Sequence, residues 1–155
     1  MSQAKNEPIQ IGVQFSIFLI NKPGVLAGVT SALAKARINI VALALMDSGE
    51  HGTLRIVCDD VAKTRTILGK AHDRWTESEV LVLELQNSPG AFARVSEALA
   101  ASHVNITYAY CTGGAPGGRT TAVFKVADLD KAHKVLEAGL LAPKKENPRT
   151  VRRRR

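Results

Sequence analysis

The sequence repeats itself. Displaced by 66 positions, NKPGVLAGVTSALAKARINI (Asn21 to Ile40) falls on NSPGAFARVSEALAASHVNI (Asn87 to Ile106), and ten of the twenty residues coincide. Further on the displacement becomes 68, with IVCDDVAKTRTIL from Ile56 over FKVADLDKAHKVL from Phe124. The second copy therefore carries two extra residues, in the glycine-rich TGGAPGG, where an insertion costs little. A duplication on this scale restricts the fold to two copies of one small unit, each self-sufficient or completed by the other.

Within each copy the residue types change in the same order. IGVQFSIFLI and EVLVLELQ are rich in branched and large apolar residues and read as strands. A Pro-Gly turn follows. Val25, Leu26, Val29 and Leu33 in one copy, and Phe92, Val95 and Leu99 in the other, then recur at spacings of three and four and mark a helix face. INIVALALM and VNITYAYC read as second strands, SGEHG and TGGAPGG as turns, and TLRIVC and TTAVFKV as third strands. DDVAKTRTILGKAH and DLDKAHKVLEAG read as second helices. Asp59 or Asp60, and Asp128, stand at their N-caps, and Gly69 and Gly139 near their ends.

The order is β-α-β-β-α, twice, and a ferredoxin-like unit of this kind normally closes with a fourth strand beside its first. HDRWTES is too short to supply one, and LLAPKKENPRTVRRRR has too few apolar positions. The economical solution is that each copy's first strand is the other's missing neighbour. This predicts an α+β fold with one continuous six-stranded antiparallel sheet and four helices on one face. The expected boundaries are an N-terminal arm at 1–10, repeat 1 at 11–74, repeat 2 at 75–140 and a basic, disordered tail at 141–155. INIVALALM offers few polar residues on either side, so the other face of the sheet is expected to be bare and apolar. Such faces find partners, which predicts a homodimer or higher oligomer.

Charge separates the tail from the body. Of the net +7, Lys144 to Arg155 supply seven basic residues against one acid, and the rest holds fourteen basic and thirteen acidic residues. A solvated tail without a partner is the leading expectation; nucleic acid or another polyanion comes second, a partner only through the tail by salt-sensitive phosphate contacts without sequence preference, and docking on an acidic protein comes last. No apolar run reaches the roughly 18 residues of a membrane helix, and MSQAKNEPIQ has no secretory pattern. Cys58 and Cys111 lack a CxxC spacing, which fits a cytoplasmic protein with packing cysteines.

The run of strand, N-x-P-G, helix, then N-I opening a second strand resembles the ACT domain family. It occurs as IFLINKPGVLAGVTSALAKARINI and again as LELQNSPGAFARVSEALAASHVNI, and the resemblance covers about residues 11 to 138. It implies a free-standing tandem ACT protein, a regulatory, allosteric module that binds amino acids or related metabolites and works with a partner enzyme or regulator. It also implies a ligand between paired units, near the first turn, the start of the first helix and the start of the second strand. On this sequence those positions are Asn21, Pro23, Gly24, Val25, Leu26, Asn39 and Ile40, and Asn87, Pro89, Gly90, Ala91, Phe92, Asn105 and Ile106.

The chemistry of the turn agrees with that reading. The first N–H groups of a helix lack intrahelical partners, and the dipole adds partial positive charge there, so a carboxylate can dock. Gly24 and Gly90 keep side chains out of the way, and Pro23 and Pro89 set the entry angle. The ordinary alternative is that Asn21 and Asn87 bond their own turn, and that Asn39 and Asn105 end the first helix in a left-handed conformation. A small or branched apolar amino acid is the expected ligand. A docking module that binds protein partners without any metabolite is the runner-up. No cofactor motif and no convergent acid, base and nucleophile are found, so an enzyme is not expected. His51, His72, His103 and His133 show no metal-ligand spacing. TGGAPGGRTT lacks the G-K-[ST] of a phosphate loop and reads as a flexible hairpin or a lid. Tyr108 and Tyr110 alternate onto one face, for packing or for ligand stacking, and Trp75 is expected to anchor the connector.

Overall fold

The computed structural model describes residues 8–47, 49–71 and 74–140. The chain forms β1 (Ile9–Ile20), α1 (Val25–Lys35), β2 (Ile40–Asp47), β3 (His51–Cys58) and α2 (Val61–Ala71). It then repeats the order as β4 (Trp75–Gln86), α3 (Ala91–Ala101), β5 (Ile106–Thr112), β6 (Arg119–Val126) and α4 (Leu129–Leu140). One sheet in the order β2-β3-β1-β4-β6-β5 carries all six strands, each antiparallel to its neighbours. The two copies complete each other as expected: β1 and β4 pair from Ile9 opposite Leu83 to Ile17 opposite Trp75.

The helices cover one face through two linked cores. Val29, Leu33 and Leu68 of α1 and α2 pack on Phe15, Ile17, Leu54 and Ile56. Val95, Leu99, Ala132 and Leu136 of α3 and α4 pack on Leu81, Leu83 and Phe124. Each large side chain removed from water here contributes ~1.5–3 kcal/mol.

The other face is not bare. In a flat six-stranded sheet the edge strands lie about 24 Å apart, yet β2 and β5 come within 8 Å of each other between Cα atoms. The sheet coils until its edges meet, an extreme of the ordinary strand twist. Ala42, Val57, Val80, Val82 and Val123 are buried inside the curve. Gln14, fully buried on β1, spans the hollow: its Nε2 donates to Tyr108 Oη at 2.7 Å, and its Oε1 accepts from Tyr110 Oη at 2.9 Å. Burial pushes the Tyr110 phenol well above its usual range. The expectation of an exposed apolar face is therefore corrected, and with it the ground on which oligomerisation was predicted. The tyrosines pack and hydrogen-bond within the chain.

Local expectations are adjusted too. The connector HDRWTES is partly strand: β4 opens at Trp75, whose ring lies 5.7 Å from that of Phe15. β1 likewise begins inside the expected N-terminal arm. Asp60, not Asp59, caps α2 by accepting the Lys63 N–H, and Asp128 caps α4 through the Lys131 N–H. Gly69 and Gly139 lie within α2 and α4 rather than ending them. Helices α1 and α3 end on left-handed Arg37 (φ 57°) and His103 (φ 55°), not on the asparagines. The N–H of Arg37 returns to Ala34 and that of Ile38 to Leu33; His103 and Val104 repeat this with Ala100 and Leu99. These are paired Schellman motifs, sealed by burial of Ile38 and Val104. Residues 141–155, where the basic tail was expected, and His72 lie outside the described residues.

Candidate ligand-binding turn

Both Pro-Gly pairs form type II turns. Gly24 has φ 88° and Gly90 φ 82°, and the Val25 and Ala91 N–H groups donate back to the carbonyls of Lys22 and Ser88. Proline fits the second position of such a turn, and glycine takes the positive φ at the third. Each glycine then serves as the helix N-cap with no side-chain hydrogen bond, and neither first turn contains an acidic residue. The amides and dipole at both helix starts are left without a built-in anion.

Asn21 and Asn87 do something sequence reasoning missed. Asn21 Nδ2 donates to the Gly49 carbonyl at 3.2 Å, and the Asn21 N–H to the Glu50 carbonyl at 2.9 Å. Asn87 Nδ2 donates to Gly114 at 2.7 Å and Ala115 at 3.2 Å, and its carbonyl accepts from the Gly117 N–H. Each asparagine thus fastens the turn to its unit's β-hairpin, 27 or 28 residues away, rather than bonding its own turn. TGGAPGG is tied onto the second turn by the same bonds.

Beside the first turn lies a cavity of about 190 Å³, lined by Leu19, Ile20, Asn21, Lys22, Val25, Leu26, Leu45, Met46 and Gly52. The expected residues Asn21, Val25 and Leu26 come together there. Pro23 and Gly24 build the turn without lining the cavity. Asn39 and Ile40 are not brought to it: α1 carries the chain about 16 Å away from the turn, at 1.5 Å per residue, before β2 starts. At that far end the Asn39 N–H donates to Asp59 Oδ1, and its carbonyl accepts the Asp59 N–H. Asn105 and Ile106 occupy the matching place in the second unit, where Asn105 accepts the Ala127 N–H. What reasoning missed was the end of β2, which returns to the turn and contributes Leu45 and Met46.

The second turn is built differently around the same backbone. Phe92, at the position of Leu26, lays its ring on Phe124 with centroids 4.9 Å apart and planes 26° from parallel. The hollow near that turn, about 330 Å³, is lined by Gln86, Gly117, Gly118 and Arg119, and by none of the expected second-unit residues. Arg119 there holds Glu84 at 2.8 Å.

Of the residues that line the first cavity, Met46 also connects to the second unit. Met46 Sδ accepts from Arg55 Nη1 at 3.3 Å, and the Arg55 guanidinium lies 3.9 Å above the centre of the Tyr108 ring. Tyr108 in turn bonds Gln14. No group of His, Cys, Asp and Glu suited to a metal exists among the described residues. No helix of those residues is long and apolar enough to cross a membrane.

Among curated proteins nothing matches the chain. Solved structures do. Protein BT0572 from Bacteroides thetaiotaomicron is 33% identical, covers 84% of this chain and 90% of its own, and superposes with a TM-score of 0.75. The ligand-free regulatory subunit of aspartate kinase from Thermus thermophilus is 15% identical over 84% of this chain and 95% of its own, TM-score 0.63. That of Thermus flavus is 14% identical over 86% and 97%, TM-score 0.59. The last two share the fold. The family model for the ACT domain pair matches residues 10–146. With the duplicated βαββα units and their shared sheet, this match shows that the chain belongs to the ACT domain pair family.

Proposed function

We propose that this chain is a regulatory, non-catalytic protein that binds a small or branched apolar amino acid, or a similar metabolite, at the Pro-Gly turn of its first unit. One observation carries the reading: an uncapped helix N-terminus opens beside an apolar cavity of about 190 Å³. Apolar cavities of ~150 Å³ hold a molecule the size of benzene, so a branched side chain fits. The carboxylate docks on the amides of the first turn of α1, with Lys22 adding positive charge at the rim. The side chain lies against Leu26, Leu45 and Met46.

Family membership and the shared fold of two aspartate kinase regulatory subunits support a regulatory role toward a partner enzyme. A ligand changes the protein only by as much as it binds two states differently. Met46 offers the means, because it lines the cavity and also holds Arg55 over Tyr108 of the second unit. Two unpaired cysteines, Cys58 buried and Cys111 exposed, support a reducing, cytoplasmic setting.

Thermal melting against each of the twenty amino acids tests the reading. One or a few related apolar amino acids should raise the stability of the chain, by about 2.7 kcal/mol at a hundredfold excess over Kd. The rise should vanish in Leu26→Phe, which installs the second unit's residue. No rise with any amino acid would refute the amino-acid reading.

A further inference from the structure

β1 is longer than its neighbour on one side. It pairs with β4 from Ile9 to Ile17, but with β3 only from Gln14 to Ile20. Hydrogen bonding in an antiparallel strand alternates sides. Glu84 N–H donates to the Pro8 carbonyl, so the even residues of β1 face β4, and Ile9 and Ile11 turn their backbone groups toward the β3 side. No strand of the described residues lies there.

A cavity of about 380 Å³ marks the gap. Its lining comes from both faces of the sheet: Val57 and Val82 belong to the inner, concave cluster, Val13 and Val61 to the helix side. That is the space left where a strand in line with β3 is missing. Ile11 beside it is 42% exposed.

The second unit has the same overhang and protects it. Glu77 and Glu79 stand where Ile11 and Val13 stand in the first, and Lys125 where Val57 stands. Lys125 Nζ donates to the Glu79 carbonyl at 3.1 Å, and Glu77 holds Arg65 at 2.6 Å. Charges of this kind, lysine above all, are how open strand edges are kept from pairing. The first unit has none of these three charges.

We infer that the open edge at Ile9–Val13 is a docking site for an extended, uncharged apolar segment of a partner protein, added as a strand in line with β3. Main-chain bonds to Ile9 and Ile11 supply affinity, and the valine-lined gap selects the side chains. Because the gap presents valines on both faces, with Gln10 and Asp59 as its polar lining residues, the fitting segment is a continuous run of β-branched residues rather than an alternating one. Five residues, about 17 Å, match the edge. MSQAKNE is polar, and LAPKKENPRTVRRRR is basic and interrupted by two prolines, so neither stretch is such a run.

Two measurements on the full chain test this independently of any amino-acid ligand. In hydrogen exchange, the Ile9 and Ile11 amides should exchange quickly while Gln10 and Gly12, bonded to β4, are protected; protection of all four would overturn the proposal. In fluorescence anisotropy, a labelled capped peptide, acetyl-Thr-Val-Ile-Val-Thr-amide, should bind saturably. Val57→Lys and Ile11→Glu, which restore the second unit's charges, should each weaken it by about tenfold or more, equivalent to 1.4 kcal/mol. A peptide with proline at its centre should not bind. Absence of binding, or binding that both substitutions leave unchanged, would refute the site, and neither result bears on the amino-acid cavity.

Discussion

The first unit places Leu26 near the start of α1 and leaves a cavity beside it; the second places Phe92 at the same point and lays its ring on Phe124. Around these residues the backbone is nearly identical: type II Pro-Gly turn, glycine N-cap at positive φ, asparagine tied to the hairpin, Schellman end. The difference teaches where specialisation occurs after a duplication. Features that set the path of the chain are kept in both units, because both halves of one sheet depend on them. Side chains that line space beside that path have diverged. One unit has an apolar cavity against its first helix and an uncharged strand edge; the other has a stacked ring there, a more polar hollow nearby and a charged edge.

Exchanging the diverged residues should break the comparison most sharply. Leu26→Phe should abolish stabilisation by an apolar amino acid, a loss of about 2.7 kcal/mol at a hundredfold excess, read by thermal melting. Phe92→Leu should leave that stabilisation intact. The conserved turn predicts equality instead: Gly24→Ala and Gly90→Ala each force a side chain into the left-handed region, at roughly 1–2 kcal/mol apiece, measured by urea denaturation. A cost confined to one unit would show that the two turns are not equivalent.

Smaller effects sharpen the picture. Asn87 makes two side-chain bonds to its hairpin and Asn21 one. At ~0.5–1.5 kcal/mol per net bond, Asn87→Ala should destabilise more than Asn21→Ala in the same assay. Least of all, the bond from the Lys63 N–H holds the Asp60 carboxyl below its ordinary range, and the Arg65 guanidinium does the same for Glu77. Both groups are depressed in the folded state, so their stabilisation is present above the ordinary carboxylate pKa and is lost as pH falls through the lowered values. Denaturation followed into acid should therefore lose part of its slope in Asp60→Asn and Glu77→Gln.

Much of this was legible before the fold was seen. The repeat predicted mutual completion of the two units, because neither had a fourth strand of its own, and β1 beside β4 is that completion. Pro-Gly predicted the turn and the helix start. The coiling of the sheet was not legible: it depends on twist accumulated over six strands, and Gln14 looks in sequence like any polar strand residue. Asn39 was misplaced for a simpler reason. A strand that follows a helix starts at the end opposite the turn, so it is the end of β2, at Leu45 and Met46, that returns to the cavity. The hairpin bonds of Asn21 and Asn87 join residues far apart in the chain, and no local pattern announces them.

The central claim is that one unit binds and the other does not. Calorimetric titration of the chain with the amino acid that most raises its melting temperature measures this directly. The account predicts one site per chain, absent in Leu26→Phe and retained in Phe92→Leu. Two sites per chain, or a single site that survives Leu26→Phe and is lost in Phe92→Leu, would contradict it.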